Sequence, residues 1–175
     1  MRIAVDVILI VLGFVFLVFG IRDAINKYKS SITPDNVLFV RSYSSIGEDN
    51  PYKYVSIKEA NEIIEKHSGV IFVGFPGDSW SQVLVAPLKS IVESYGVDTI
   101  YYLEKLENDD MSDLKSSVQD ISTPHIIVVK DGEILKEVTK TDIVREDYDG
   151  APIEYFDEEN TESLSRMLED IKNIN

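Results

Sequence analysis

The chain has no cysteine. Every reaction that needs a thiolate is therefore closed to it: disulfide exchange, peroxide reduction, cysteine nucleophiles, Cys-ligated zinc and iron-sulfur clusters. Histidine is nearly as scarce. His67 and His125 are the only two, too few for a multi-His metal site, and both read as ordinary polar residues of the fold. Basic charge is also short, with 17 Lys and Arg against 31 Asp and Glu and a net charge of -14. Residues 1 to 29 hold four basic and two acidic side chains, so residues 30 to 175 carry -16. A field of that sign repels phosphate backbones, and no basic stripe with interleaved aromatics relieves it, so nucleic acid is not an expected partner. No G-x-S-x-G motif frames Ser79 or Ser81 and neither histidine stands in a catalytic motif, which removes serine hydrolysis.

What is present suffices for one folded domain. Hydrophobic residues make up 44% of the 175, with seven Phe, nine Tyr and one Trp, far from a disordered composition. The longest apolar run is N-terminal: Ile3 to Ile21 reads IAVDVILIVLGFVFLVFGI with Asp6 as its one charge. At about 1.5 Å per helical residue it reaches roughly 28 Å, the thickness of a hydrocarbon core. Residues 1–21 are thus expected to anchor the chain in a membrane. The run exceeds the roughly 7 to 15 apolar residues of a cleaved signal, and no small-x-small site precedes Arg22. No Cys follows it, which excludes a lipoprotein.

Residues 22–36 read as a juxtamembrane linker closed by Pro34 and Asp35, and residues 37–175 as the folded domain. Asn36 to Arg41, with VLFV, reads as a first strand, and Tyr52 to Val55 as a short extended piece. Ser56 and Glu59 have capping-box spacing ahead of Ile57, Ala60, Ile63 and Ile64 on one helical face. Gly69 to Phe75, GVIFVGF, is a continuous apolar run and predicts a central strand covered on both faces. From about Gln82 a helical repeat runs to Tyr95, with Pro87 inside it expected to bend it. Val97 to Leu103 predicts a strand and Asp110 to Val118 a helix. HIIVVK and EILKEV flank Asp131-Gly132, a hairpin signal. A last helix is expected over Thr161 to Ile171, after an acidic stretch. That stretch, from Asp142 to Glu162, contains DYDG, but EF-hand spacing would put Arg145 and Phe156 where carboxylates are required, so it reads as a solvated loop.

A βαβ unit, an antiparallel hairpin and a closing helix resemble the thioredoxin plan, an α/β fold in which a mixed sheet is sandwiched by helices. Three features carry the resemblance: GVIFVGF running into a Trp-containing turn at a helix start, Ala86-Pro87 in that helix, and Ser122-Thr123-Pro124 just before HIIVVKDGEIL. GFPGDSWSQ is more particularly similar to the membrane-anchored, bacteriocin-accessory type, where a Pro precedes a Cys-Pro-Trp-Cys turn. The resemblance implies that Pro124 is cis and lies beside that turn. It also implies a soluble domain facing outward, as does the short N-terminal tail, whereas Arg22, Lys27 and Lys29 favour a cytoplasmic domain by the positive-inside rule. The extracytoplasmic side is the expectation.

Counting forward from the strand puts the two cysteine positions of the redox motif at Asp78 and Ser81. Counting back from Pro87 puts them at Ser79 and Gln82. Neither pair holds sulfur, so oxidoreductase activity does not carry over and no cofactor is implied. Asp78 or Ser79 reads as a helix cap. Trp80 with Thr123 and Pro124 reads as a groove for a protein or peptide client, bound by strand addition with Trp80 as the anchor. The other reading is an enzyme that holds glutathione or another anion at the helix N-terminus beside Ser79 or Ser81.

Overall fold

The computed structural model describes residues 34 to 143 and 158 to 174. The expected anchor at 1–21, most of the linker at 22–36 and the DYDG stretch lie outside the described residues. Among the described residues no helix is long and apolar enough to cross a membrane. Asp35–Asn175 forms one compact unit, opening slightly ahead of the boundary expected at residue 37.

The sheet is built from β1 (Tyr52–Tyr54), β2 (Gly69–Gly74), β3 (Ile100–Glu104), β4 (His125–Lys130) and β5 (Glu133–Val138) in the order β1-β3-β2-β4-β5. β1, β3 and β2 run parallel, while β4 is antiparallel to both β2 and β5. β2 is buried at all six positions, as its unbroken apolar run requires. The β4–β5 turn places Asp131 and Gly132 at φ 51° and 84°, the left-handed geometry that makes Asp-Gly a hairpin signal. A Cβ on Gly132 would stand 2.4 Å from the Glu65 carbonyl oxygen, so this position needs glycine for space as well as for φ.

Side-chain alternation along the strands divides the core into two layers. Val70, Phe72, Ile100, Tyr102, Ile126 and Val128 face α1 (Asp35–Ser42), α3 (Ser79–Ser94) and α5 (Glu158–Met167). Ile71, Val73, Leu103, Ile127 and Val129 face Ala60, Ile63 and Ile64 of α2 (Ile57–Lys66). α2 begins with the capping box that Ser56 and Glu59 predicted, each side chain taking the other's backbone N–H. The short α4 (Lys140–Ile143) follows β5, and a 3-10 turn, Glu169–Asn173, follows α5.

Two expected elements differ. Residues 36 to 41 belong to a helix, not to a first strand. Phe39 and Tyr43, four apart, are fully buried together, and Tyr43 N–H donates to the Phe39 carbonyl at 2.8 Å. Phe39 stacks on Tyr52 with ring centroids 3.9 Å apart, so the docking of one helical face overrides the strand preference of VLFV.

Residues 110 to 118 form turns, not a helix. Ser and Asp side chains compete there for the backbone: Asp110 accepts from Ser112 N–H at 2.8 Å and Ser116 Oγ from Val118 N–H at 3.0 Å. Asn61 of α2 pins the segment by donating to the Asp113 carbonyl at 2.7 Å and accepting from Lys115 N–H at 2.8 Å. Met111, Leu114 and Ile121 are still buried against the α2 side of the sheet, so the turns cover the face a helix would have covered.

Glu137 of β5 holds the same segment from beneath. Its carboxylate accepts from Ser116 Oγ at 2.7 Å, Ser117 N–H at 2.7 Å and the fully buried His125 Nε2 at 2.9 Å. Burial raises this carboxyl, but the hydrogen bonds from His125, Ser116 and Ser117 outweigh it and bring it down from 4.5 to about 2. A depressed carboxyl contributes stability that is present above its unfolded value and lost as pH falls through its folded one. Glu137→Gln is therefore expected to lose about 2 kcal/mol at neutral pH, the size of a charged hydrogen-bond network. The gap to the parent chain should stay constant above about pH 5 and close toward about pH 2. Urea unfolding across that range checks it; a gap that persists unchanged at the acid end would remove the charge from the account.

Candidate functional site

β2 and β3 run parallel and end side by side, with Val73 opposite Leu103. β4 is antiparallel to β2 and begins there too, with His125 opposite Val73. Three connections therefore emerge at one edge of the sheet: 75–78 after β2, 105–107 after β3, and Thr123-Pro124 before β4. Ligand sites of open α/β sheets form at the carboxyl ends of strands where neighbouring connections diverge. A cavity of about 580 Å³ opens at this edge, lined by Phe75, Gly77, Asp78, Lys105, Leu106, Glu107 and Thr123.

Asp78 caps α3. Its carboxylate accepts from Trp80 N–H at 3.4 Å, Ser81 N–H at 3.1 Å and Ser81 Oγ at 2.8 Å. Lys140 Nζ stands 3.6 Å from Asp78 Oδ1, the oxygen that accepts from Trp80 N–H, joining the end of β5 to this turn. Ser81 is fully buried and also accepts from Phe75 N–H at 3.3 Å. Of the two candidate pairs, Asp78 and Ser81 are in contact; Ser79 is exposed, and Gln82 reaches away to donate to the Ser42 and Pro76 carbonyls at 2.8 and 2.6 Å. The helix begins at Ser79, ahead of the start expected near Gln82, because the Asp78 cap adds a turn. The N–H donors that an anionic cosubstrate would need are already taken by a carboxylate of the same sign.

The Thr123-Pro124 peptide bond is cis. Pro124 is buried and Thr123 partly exposed on the cavity wall, and no hydrogen bond to the Thr123 backbone is present among the described residues. The parallel β1-β3-β2 set with intervening helices, the antiparallel β4–β5 hairpin and helices on both faces complete the plan that the sequence resembled. The fold is thioredoxin-like. No protein-family model matches the sequence, and no curated protein matches it. Solved structures with a similar chain path include thioredoxin from Trypanosoma brucei brucei, 14% identical over 71% of this chain and 94% of that one, with a TM-score of 0.41. A chain from the complex of ferredoxin:thioredoxin reductase with thioredoxin f2 is 20% identical over 51% and 82%, with a TM-score of 0.40. A designed protein is 18% identical over 68% and 98%, at 0.42. Scores this low add nothing to what the strand order establishes.

The thioredoxin-like scaffold brings Asp78 and Thr123 to one cavity, with Ser81 beneath Asp78 and Pro124 beneath Thr123. Trp80 is placed otherwise. It is half-buried, packs against the core layer on the α3 side and does not line this cavity. Sequence reasoning missed Phe75, Lys105, Leu106, Glu107 and Lys140. Leu106 is 50% exposed, the most open large hydrophobic residue among those described. A Leu in the charged run EKLEND directly after a buried strand was the signal for it.

A second cavity, of about 600 Å³, lies between α2 and residues 113 to 115. Four of its charged side chains pair with one another, Lys66 with Glu62 at 3.4 Å and Lys115 with Glu65. Among the described residues no cluster of His, Asp and Glu is arranged to hold a metal ion.

Proposed function

We propose that this chain is a membrane-tethered, redox-inactive thioredoxin-like protein that binds a protein or peptide client and is not an enzyme. The cavity at the strand ends carries the reading. It combines an exposed apolar side chain, Leu106, with a Thr123 backbone that has no hydrogen bond among the described residues, which is what an extended polypeptide needs for side-chain anchoring and strand addition. The apolar span at residues 3–21 would hold the domain outside the cell membrane, where a tether raises the effective concentration of partners on the same surface and modest affinity suffices. An accessory or chaperone-like role in secretion or bacteriocin export is the setting that the resemblance to bacteriocin-accessory proteins suggests.

Leu106→Asp and Thr123→Arg test it, one placing a charge at the apolar contact and the other a long cation across the backbone edge. Each should weaken capture of membrane neighbours or of an extended peptide by at least about tenfold, the effect of losing a central contact. Secondary structure and unfolding midpoint should stay near those of the parent chain, because both side chains reach solvent. Unchanged capture in both variants would overturn the reading. Glutathione binding by the parent chain would favour the anionic-cosubstrate enzyme instead.

A further inference from the structure

We propose that the client segment taken by this groove carries Lys or Arg beside an apolar residue. The inference rests on the groove being a client site, as proposed above, and adds the chemistry of the occupant. Residues 105 to 107 form one bank, and the run that contains them, EKLENDDMSD at 104 to 113, holds five acidic side chains and one basic. Asp109 and Asp110 are turned back on their own loop, accepting from Leu106 N–H and Ser112 N–H at 2.8 Å each, which fixes their charge on the loop that follows the bank. Asp78 is matched by Lys140 at 3.6 Å. Glu107 faces the cavity with no ion-pair partner among the described residues, next to the half-exposed Leu106. Lys105 is the one cation on the bank and opposes Glu107 in part. Around this sits a chain of net charge -14. Its field draws in cationic segments, rejects acidic ones and opposes a second copy of itself. Leu106 and Phe75 then take the apolar neighbour, while Glu107 takes the cation at the rim.

The test uses the full chain and three labelled synthetic peptides of one length. Each has a central Leu flanked by Lys, by Gln or by Glu, and binding is read by fluorescence anisotropy. The Lys peptide should bind best and the Glu peptide worst, about tenfold apart at low salt, with the gap narrowing as ionic strength rises. Lys105→Glu should widen that gap by about threefold, and Glu107→Lys should narrow it by a similar factor, the scale of exposed charge pairs. Equal affinity for all three peptides overturns the proposal and leaves client binding standing. If no peptide binds, this proposal and the client-binding reading fall together. Sedimentation as a dimer that Glu107→Lys dissolves would assign the groove to a second copy, and also overturns it.

Discussion

A chain carrying Asp78→Cys together with Ser81→Cys will form an intramolecular disulfide and catalyse thiol-disulfide exchange, where the parent chain does neither. The two side chains already meet, with Ser81 Oγ 2.8 Å from the Asp78 carboxylate across the first turn of α3. A sulfur at position 78 would inherit the Trp80 and Ser81 N–H donors, the positive end of the helix and Lys140. Each favours the thiolate, so its pKa should lie at least about one unit below the usual ~8.5. Position 81 is fully buried and would supply the resolving thiol beneath it. Thiol titration should reach zero after mild oxidation, and insulin reduction by dithiothreitol should accelerate. The pair Ser79→Cys with Gln82→Cys is the control. It removes the Gln82 bonds to the Ser42 and Pro76 carbonyls and places one thiol in solvent, so it should close poorly. If that control oxidised more readily than the first pair, the register drawn from Asp78 would be wrong.

The elements legible in the sequence were those whose signals are local. β2 announced itself as an unbroken apolar run, β4 and β5 as two such runs around Asp131-Gly132, and α2 through Ser56 and Glu59. The Asp78 cap belongs with them, since a carboxylate ahead of a helix needs only its own next three residues. The misread segments are decided by contacts distant in sequence. Residues 36 to 41 look like a strand until Tyr52 and Tyr102 are there to receive Phe39 and Tyr43. Residues 110 to 118 look like a helix until Asn61 and Glu137 claim their polar groups.

The site divides in the same way. Asp78, Ser81, Thr123 and Pro124 were found from motif order, and the structure gathers them at one edge. Trp80 was expected to be the anchor because the thioredoxin resemblance set it with Thr123 and Pro124 in one groove, yet position 80 packs it against the core. The bank at Lys105, Leu106 and Glu107 needed the sheet order, for nothing in the sequence says that the end of β3 stands beside the end of β2. His125 and Glu137 meet only across the β4–β5 ladder, behind the Thr123-Pro124 turn. His125 Nδ1 is buried there without a hydrogen-bond partner among the described residues, so Glu137 alone orients the ring.

Phe39→Ala is expected to have the largest effect on stability of any change in α1, about 3–5 kcal/mol. The ring is fully buried, stacks on Tyr43 and Tyr52 at 4.6 and 3.9 Å, and meets Tyr102 edge-on at 4.9 Å. Removing it leaves a cavity among rings whose hydroxyls are fixed, Tyr43 to Tyr102 at 3.0 Å and Tyr52 to the Val85 carbonyl at 2.7 Å, so the neighbours cannot collapse inward. Against a total of about 5–15 kcal/mol, that loss brings the fold near its limit. Leu38, 36% exposed on the same helix, should tolerate alanine within about 0.5 kcal/mol. A strand over the same residues would point positions 38 and 39 to opposite faces, one of them inward against the sheet. A helix instead pairs 39 with 43, so Tyr43→Ala should match Phe39→Ala. The consequence reaches the site, because Gln82 ties the start of α3 to the Ser42 carbonyl at the end of α1. Phe39→Ala should therefore loosen the Asp78 turn before the sheet itself opens. Hydrogen exchange would show it as faster exchange at Trp80 and Ser81 while the β2 amides stay protected. Loss of protection at both together would mean that α1 supports the core alone and has no separate hold on the site.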